Sequence, residues 1–108
     1  MARSDVLQGA LPILVLKILV RRGPMHGYAI TSQIETFSSA LRVEQGSLYP
    51  ALHRLEESGL VKARWVVTAK NRRARVYEVT AAGRRQLEAE ESRWRTVTLA
   101  VGQVLEQL

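Results

Sequence analysis

Cysteine is absent from the 108 residues, so the chain can form neither a disulfide framework nor a thiolate metal site. This absence is typical of proteins in a reducing compartment, and we expect a cytoplasmic protein. Acidic residues are also scarce, with ten against sixteen lysines and arginines, which gives a net charge of +6. A basic chain of this length predicts one soluble domain with an anionic partner.

Long apolar runs are absent as well. The most apolar stretch, Ala10–Val20, is too short to span a bilayer and is interrupted by Lys17. No small-residue cleavage pattern follows it, so we exclude a signal peptide and expect no membrane partner. We predict a buried helix with Pro12 in its first turn, preceded by a short polar lead (residues 1–9) and ended by the Gly-Pro pair at 23–24.

No set of residues typical of an active site is present. His26 and His53 do not have metal-ligand spacing, and we interpret His26 as a local structural hydrogen-bonding group. Glu56 and Glu57 are adjacent, so on a helix they point about 100° apart and are better explained as solvated charges. We find no nucleophile with its base, no glycine-rich phosphate loop and no cofactor fingerprint. We therefore expect that the chain is not an enzyme and that it needs neither a metal nor a cofactor.

The stretch from residue 44 to residue 61 combines an apolar stripe with a polar outer face. Leu48, Leu52 and Leu55 recur at helical spacing, which predicts a recognition helix at about 46–58 with Pro50 in its first turn. The outer face carries side chains that hydrogen-bond base edges or phosphates. These candidates are Gln45, Ser47, Tyr49, His53 and Arg54. For His53 a solvated surface position is the alternative.

A second helix is predicted before the recognition helix. Tyr28, Ile30, Ile34 and Phe37 have spacings that a helix can collect on one side. Three helices with short connections, the third with an exposed polar face, are typical of a helix-turn-helix arrangement.

The segments Leu60–Thr68 and Arg75–Thr80 are rich in Val, Trp and Tyr and alternate in polarity, which predicts a two-stranded hairpin. A cationic hairpin directly after a recognition helix is typical of a wing, here at about 61–80, that reaches the minor groove or a phosphate track. From Lys62 to Arg85, eight basic residues oppose one acid. The alternative is a solvated basic surface. The candidate DNA contacts of the wing are Lys70, Asn71, Arg72, Arg73 and Arg75.

Residues 81–108 contain no proline and only two glycines, so we predict one long helix with Thr80 as its N-cap. Its apolar positions follow a heptad spacing from Trp94 onward, which favours a partner helix and hence a homodimer. The alternative is that the helix folds back onto its own domain. The predicted interface residues are Leu87, Trp94, Val97, Val101, Val104 and Leu108.

Three segments together resemble the PadR family of bacterial winged-helix transcriptional regulators, in its short form with a single C-terminal helix. They are GPMHGYAI (Gly23–Ile30), GSLYPALHRLEESGLV (Gly46–Val61) and NRRARVYEVTAAGRRQL (Asn71–Leu87). The resemblance implies a homodimer that binds a pseudo-palindromic operator, usually as a repressor, and that is released by a small effector.

Individual roles also follow from this resemblance. Tyr49 takes the position of a tyrosine that contacts backbone phosphate, and Ser47 stands where threonine is more common. Trp94 is the position that would contact a small aromatic effector at the dimer interface.

The expected fold is mainly α with a small β-hairpin, with a winged helix-turn-helix DNA-binding unit at 1–80 and a C-terminal dimerisation helix at 81–108. The expected function is sequence-specific, DNA-binding transcription regulation. Two alternatives remain open, a non-specific architectural DNA-binding protein and a protein-interaction module that docks through the C-terminal helix.

Overall fold

The computed structural model describes residues 5–108, with side chains from residue 9 onward; the start of the predicted polar lead lies outside the described residues. Within these residues, four helices pack with a three-stranded antiparallel sheet of order β1-β3-β2. The mainly α fold with a hairpin is confirmed, and the two-residue strand β1 was not predicted. The elements are α1 (Asp5–Arg22), β1 (Met25–His26), α2 (Gly27–Phe37), α3 (Gln45–Glu57), β2 (Val61–Val67), β3 (Arg73–Val79) and α4 (Ala81–Gln107).

Helix α1 supplies the centre of the core. Leu11, Val15, Leu16 and Leu19 are each at most 3% exposed. The helix is longer than predicted, so Pro12 is its eighth residue and the expectation of a first-turn proline was wrong. The apolar run could not reveal this start, because the preceding residues, 5–9, mix polar and apolar side chains. The predicted stop is confirmed, since Gly23 has φ 89° and its N–H donates to the Leu19 carbonyl.

Helices α2 and α3 bury their apolar stripes against α1. Ile30 and Ile34 are buried as predicted, but Tyr28 is 69% exposed and Phe37 is 63% exposed. Both were predicted on the buried side; they are the second and the last residue of α2, outside its buried stretch at residues 30–34. The buried face of α2 also holds one polar side chain, Thr31, whose hydroxyl donates to the Tyr28 carbonyl at 2.8 Å.

Helix α3 buries Leu48, Leu52 and Leu55 as predicted, together with Ala51. It starts at Gln45, so Pro50 is its sixth residue and lies beyond the first turn, contrary to expectation. Pro50 has no N–H to donate to the carbonyl four residues earlier, so the helix lacks one bond there.

The hairpin of β2 and β3 is joined by residues 68–72, and we call these three parts the wing. Val61 pairs with Val79 and Val67 pairs with Arg73, so β3 begins two residues earlier than predicted. Asn71 forms the tip with φ 59°, and the Thr68 N–H donates to the Arg72 carbonyl at 2.7 Å. Arg73 therefore lies on a strand and not in the loop, because this tight turn needs only five residues.

The start of α4 is fixed to the turn between α3 and β2. The Thr80 hydroxyl accepts from the Gly83 N–H at 3.0 Å, which confirms the predicted N-cap, and it donates to the Gly59 carbonyl at 2.7 Å. Gly83 packs directly on the Leu60 carbonyl. Leu87, predicted at a dimer interface, is 5% exposed and packs within the chain's own core. Only two turns into α4, the helix still covers the domain that precedes it.

One ion-pair network joins α4 to α1. Lys17 Nζ lies 3.1 Å from both carboxylate oxygens of Glu91, which also accepts from Arg95 at 2.8 Å. The hydrogen bond from Lys17 and the nearby cations lower the pKa of the Glu91 carboxyl below its ordinary value. Within residues 5–108, no helix is both long enough and apolar enough to cross a membrane.

Candidate nucleic-acid interface

The outer face of α3 presents the polar side chains that its sequence predicts. Gln45, Tyr49, His53 and Arg54 are exposed, and Ser47 is half-buried. They share this face because the leucines take the opposite side of the 3.6-residue period. Hydroxyl, amide, imidazole and guanidinium groups thus stand along about two helical turns, which is the chemistry that reads base edges.

Two of these side chains have partners within the chain. Gln45 Nε2 donates to Thr31 Oγ1 at 3.4 Å, which ties the start of α3 to α2. His53 Nε2 lies 3.3 Å from Glu57 Oε2, one helical turn further on, with both side chains largely exposed. Such exposed pairs contribute little to stability, so His53 remains free to exchange its partner for another acceptor.

Tyr49 packs over the start of α2. Its ring atoms Cε1 and Cζ would both lie 2.9 Å from a Cβ built on Gly27, so only glycine leaves room for the ring. Beside it, His26 caps α2 by accepting from the Ala29 N–H at Nδ1, at 3.3 Å, which confirms the local role predicted for this histidine. The hydroxyl of Tyr49 is thereby held near the N-terminal end of α2, where helices favour anions.

The predicted DNA contacts of the wing differ in their surroundings. Lys70, Asn71 and Arg72 are exposed at the tip, as expected for side chains that reach a phosphate track. Arg75 lies further back on β3, where its Nη2 donates to Glu56 Oε2 at 2.8 Å. Arg75 was predicted to contact phosphate, whereas in the structure it forms a half-buried ion pair with Glu56.

The inner face of the wing carries an aromatic side chain that sequence reasoning did not assign to the site. Trp65 is 54% exposed, with the Arg73 guanidinium carbon 4.6 Å and the Arg75 guanidinium carbon 5.5 Å from its ring centroid. The alternation of β2 placed Trp65 on the same face as Val61. The alternation gave no indication that the core ends before Trp65, so that the tryptophan is exposed on this face.

These parts border one concavity of about 700 Å³, which we call the wing groove. Its walls come from the start of α2, from α3 and from the wing, and all three contribute aromatic or cationic side chains. Burial raises the pKa of the Tyr77 phenol at its floor, and the Arg75 guanidinium opposes this effect. The lining residues are His26, Gly27, Tyr28, Tyr49, Trp65, Thr68, Lys70, Arg72, Arg73, Ala74, Arg75 and Tyr77.

The second half of α4 exposes an apolar stripe. Val97, Val101 and Val104 are between 50% and 58% exposed, Leu108 is fully exposed, and Trp94 is half-buried. Apart from Leu87 and the half-buried Trp94, the predicted interface positions are thus left uncovered by the described part of the chain. A contiguous stripe of this kind marks a surface for another helix or protein.

Comparisons with known proteins agree with this architecture. Residues 15–89 match the model of the transcriptional regulator PadR-like family. The chain is similar to a PadR family transcriptional regulator from Eggerthella lenta, with 31% identity, coverage of 96% of this chain and 88% of that one, and a TM-score of 0.82. It is also similar to a transcriptional regulator from Clostridium thermocellum, with 26% identity, coverage of 93% and 97%, and a TM-score of 0.83.

A sequence relative is a transcriptional regulator of Mycobacterium tuberculosis, 44% identical over 64 residues, which are 58% of this chain and 56% of that protein.

Proposed function

Because the chain belongs to the PadR-like family of transcriptional regulators, we propose that it is a repressor that occupies a pseudo-palindromic operator as a homodimer. The observation that carries this proposal is the wing groove, where Tyr49 from the polar face of α3 and the cations of the wing border one concavity. A helix with this face fits the major groove, and cations beside it fit the flanking phosphates.

Within this proposal, the residues divide by their chemistry. Gln45, Ser47, His53 and Arg54 would read base edges, while Tyr49 would hold a phosphate oxygen beside the start of α2. The tip of the wing, residues 70–72, and Arg73 would supply electrostatic grip that is independent of sequence. Arg75 would act through its ion pair with Glu56, which fixes β3 against α3.

The homodimer would form along α4, from Trp94 to Leu108, where the exposed apolar positions recur at heptad spacing. A two-fold dimer places two copies of α3 on successive major grooves, which is what a pseudo-palindromic site requires. Trp94, half-buried at the start of this seam, is the proposed contact for a small aromatic effector that releases DNA. A cytoplasmic location belongs to the same proposal.

A fluorescence-anisotropy titration tests the proposal. A labelled duplex from the region upstream of the chain's own gene is compared with a scrambled duplex of equal length, at two salt concentrations. We expect a preference of about 10³-fold that survives the higher salt. Equal and steeply salt-dependent binding of both duplexes would indicate an architectural protein, and absence of binding at both salts would favour a protein-docking module.

A further inference from the structure

Trp65 occupies an unusual position for its size. The residues of β2 that face α3 become more exposed toward the tip, from Val61 at 2% to Trp65 at 54% and Val67 at 69%. Core packing therefore does not account for an indole ring at position 65. The exposed part of the ring lines the wing groove, together with Tyr49 from the recognition helix.

The two guanidinium groups beside the indole ring differ in whether a carboxylate neutralises their charge. Arg75 is directly opposite Trp65 in the hairpin and is neutralised by Glu56. Arg73, at the diagonal position, is exposed and lies nearer to the ring, with its Cζ 4.6 Å from the centroid. In the side chains described from residue 9 onward, no carboxylate lies within ion-pair distance of Arg73. Its charge is held in place by the ring and left for a partner outside the chain.

We propose that Trp65 is a DNA-contacting residue of the wing, whose indole ring lies against a deoxyribose and holds the Arg73 guanidinium on the adjacent phosphate. This inference rests on the proposed binding of duplex DNA. Trp65 acts as a contact for the sugar and as a positioning residue for Arg73.

The chemistry of the pair selects the sugar-phosphate backbone of a duplex as the occupant. Each strand of that backbone alternates an apolar sugar face with an anionic phosphate, and the wing presents an apolar ring beside an unneutralised cation. Guanidinium groups favour phosphate because their fork of N–H donors matches its oxygens. A contact made only to sugar and phosphate carries no sequence information, so it strengthens binding to every duplex alike.

A double-mutant cycle tests this inference by anisotropy on the upstream and scrambled duplexes. We expect Trp65→Ala to weaken binding to both by about tenfold and to flatten the salt slope by about one unit, since the Arg73 side chain is then no longer held on its phosphate. Trp65→Phe should restore most of the affinity. Arg73→Ala should cost clearly less in the Trp65→Ala background than in the wild type, because the two residues act on one contact.

Val66→Ala is the matched control, since Val66 lies on the same strand with its side chain on the opposite face. It should leave affinity and salt slope unchanged. Tryptophan emission gives a second readout. Duplex binding should quench the wild-type emission more strongly than that of Trp65→Phe, in which Trp94 is the remaining indole.

The outcomes separate this inference from the proposed function. If the wild type binds no duplex, both are overturned. If the wild type binds and Trp65→Ala binds with the same affinity and slope, only this inference is overturned. Additive costs of Trp65→Ala and Arg73→Ala would overturn the positioning role, even where Trp65→Ala lowers thermal stability. An effect seen with a single-stranded oligonucleotide and absent with the duplex would also overturn the inference.

Discussion

A Cβ built on Gly27 would stand 2.7 Å from the hydroxyl oxygen of Tyr49. The start of α2 and the face of α3 are therefore fitted to each other at one point, and that point borders the wing groove. The glycine sets where the phenol ring lies, and the ring determines where its hydroxyl can meet a phosphate.

We expect Gly27→Ala to reduce affinity for the upstream duplex by about tenfold, the cost of one charge-assisted hydrogen bond. The added methyl group displaces the Tyr49 ring, which is 45% exposed and can move outward with little loss of stability. Anisotropy and thermal unfolding measure the two effects. Gly9→Ala is the control, because a Cβ at Gly9 meets nothing within 4 Å. A large loss of stability with unchanged affinity would show that the contact serves packing and does not position the Tyr49 hydroxyl for DNA.

Gly83→Ala should have the opposite effect to Gly27→Ala, because it should lower the stability of the fold. Its Cβ would overlap the Leu60 carbonyl oxygen and lie 2.7 Å from Val79 Cγ2, and backbone cannot yield as a side chain does. We expect a loss of about 1–3 kcal/mol in the free energy of unfolding, measured by urea denaturation. Gly102→Ala in the same helix, with nothing within 4 Å, should be neutral or stabilising. Equal stability of the two variants would show that α4 can shift away from the turn.

The wing can be tested through its charge. Arg72→Ala combined with Arg73→Ala should weaken binding to all duplexes and flatten the salt slope by about one unit for each phosphate that the wing no longer neutralises. The control removes the same charge from α4, with Arg93→Ala and Arg95→Ala, which pair with Glu90 and Glu91. If both double variants changed the slope equally, overall charge and not the wing would govern binding.

The proposed seam of α4 can be tested with a buried charge. Val101→Asp should shift the chain from dimer to monomer, because an aspartate in a helix seam loses its hydration without gaining a partner. Light scattering coupled to size-exclusion chromatography measures the mass. Leu99→Asp is the matched control. Leu99 is 65% exposed and lies about 200° around the helix from both Val97 and Val101, away from the apolar stripe. A dimer that persists in Val101→Asp would place the interface elsewhere.

The link between α1 and α4 predicts a dependence on pH. The folded chain lowers the pKa of Glu91 below its ordinary 4.5, so the ionised carboxylate stabilises the fold above that pH. This contribution is lost as pH falls through the lowered value. At pH 7, Glu91→Gln should cost about 0.5–1 kcal/mol, a modest figure since Lys17 is 42% exposed.

The difference between wild type and Glu91→Gln should shrink as the pH of the urea titrations is lowered from 7 to 3. Glu88→Gln, on an exposed part of the same helix, should differ little from the wild type at either pH. A cost of Glu91→Gln that is equal at both pH values would show that packing, and not charge, is responsible.

How far the sequence predicts this molecule depends on the range of each signal. The leucine stripe of α3 and the Thr80 cap are local patterns, and both were predicted correctly. The pairing of Arg75 with Glu56 joins residues 19 positions apart, so no local pattern contains it. Leu87 shows the same limit, because heptad spacing identifies an apolar stripe without saying which part of it the chain's own core will cover.

The prolines show a different limit. Pro12 and Pro50 were both assigned to first turns, because an interior proline costs a hydrogen bond. The structure places both further inside their helices, where burial of α1 and α3 outweighs that cost. The groove-facing position of Trp65 was missed for a third reason: alternation identifies the face of a strand and not where along it the core ends.

The anchored start of α4 has a consequence for the spacing of an operator. The Thr80 cap and the Lys17–Glu91 bridge hold the first turns of a 27-residue helix, about 40 Å long, at a fixed angle to α3. In a dimer joined through the far end of this helix, the length and angle of α4 on each side set the distance between the two recognition helices. Because α4 is long, a small rotation at the seam would shift each recognition helix by a larger distance. The spacing of the two recognition helices would then no longer match the helical repeat of DNA.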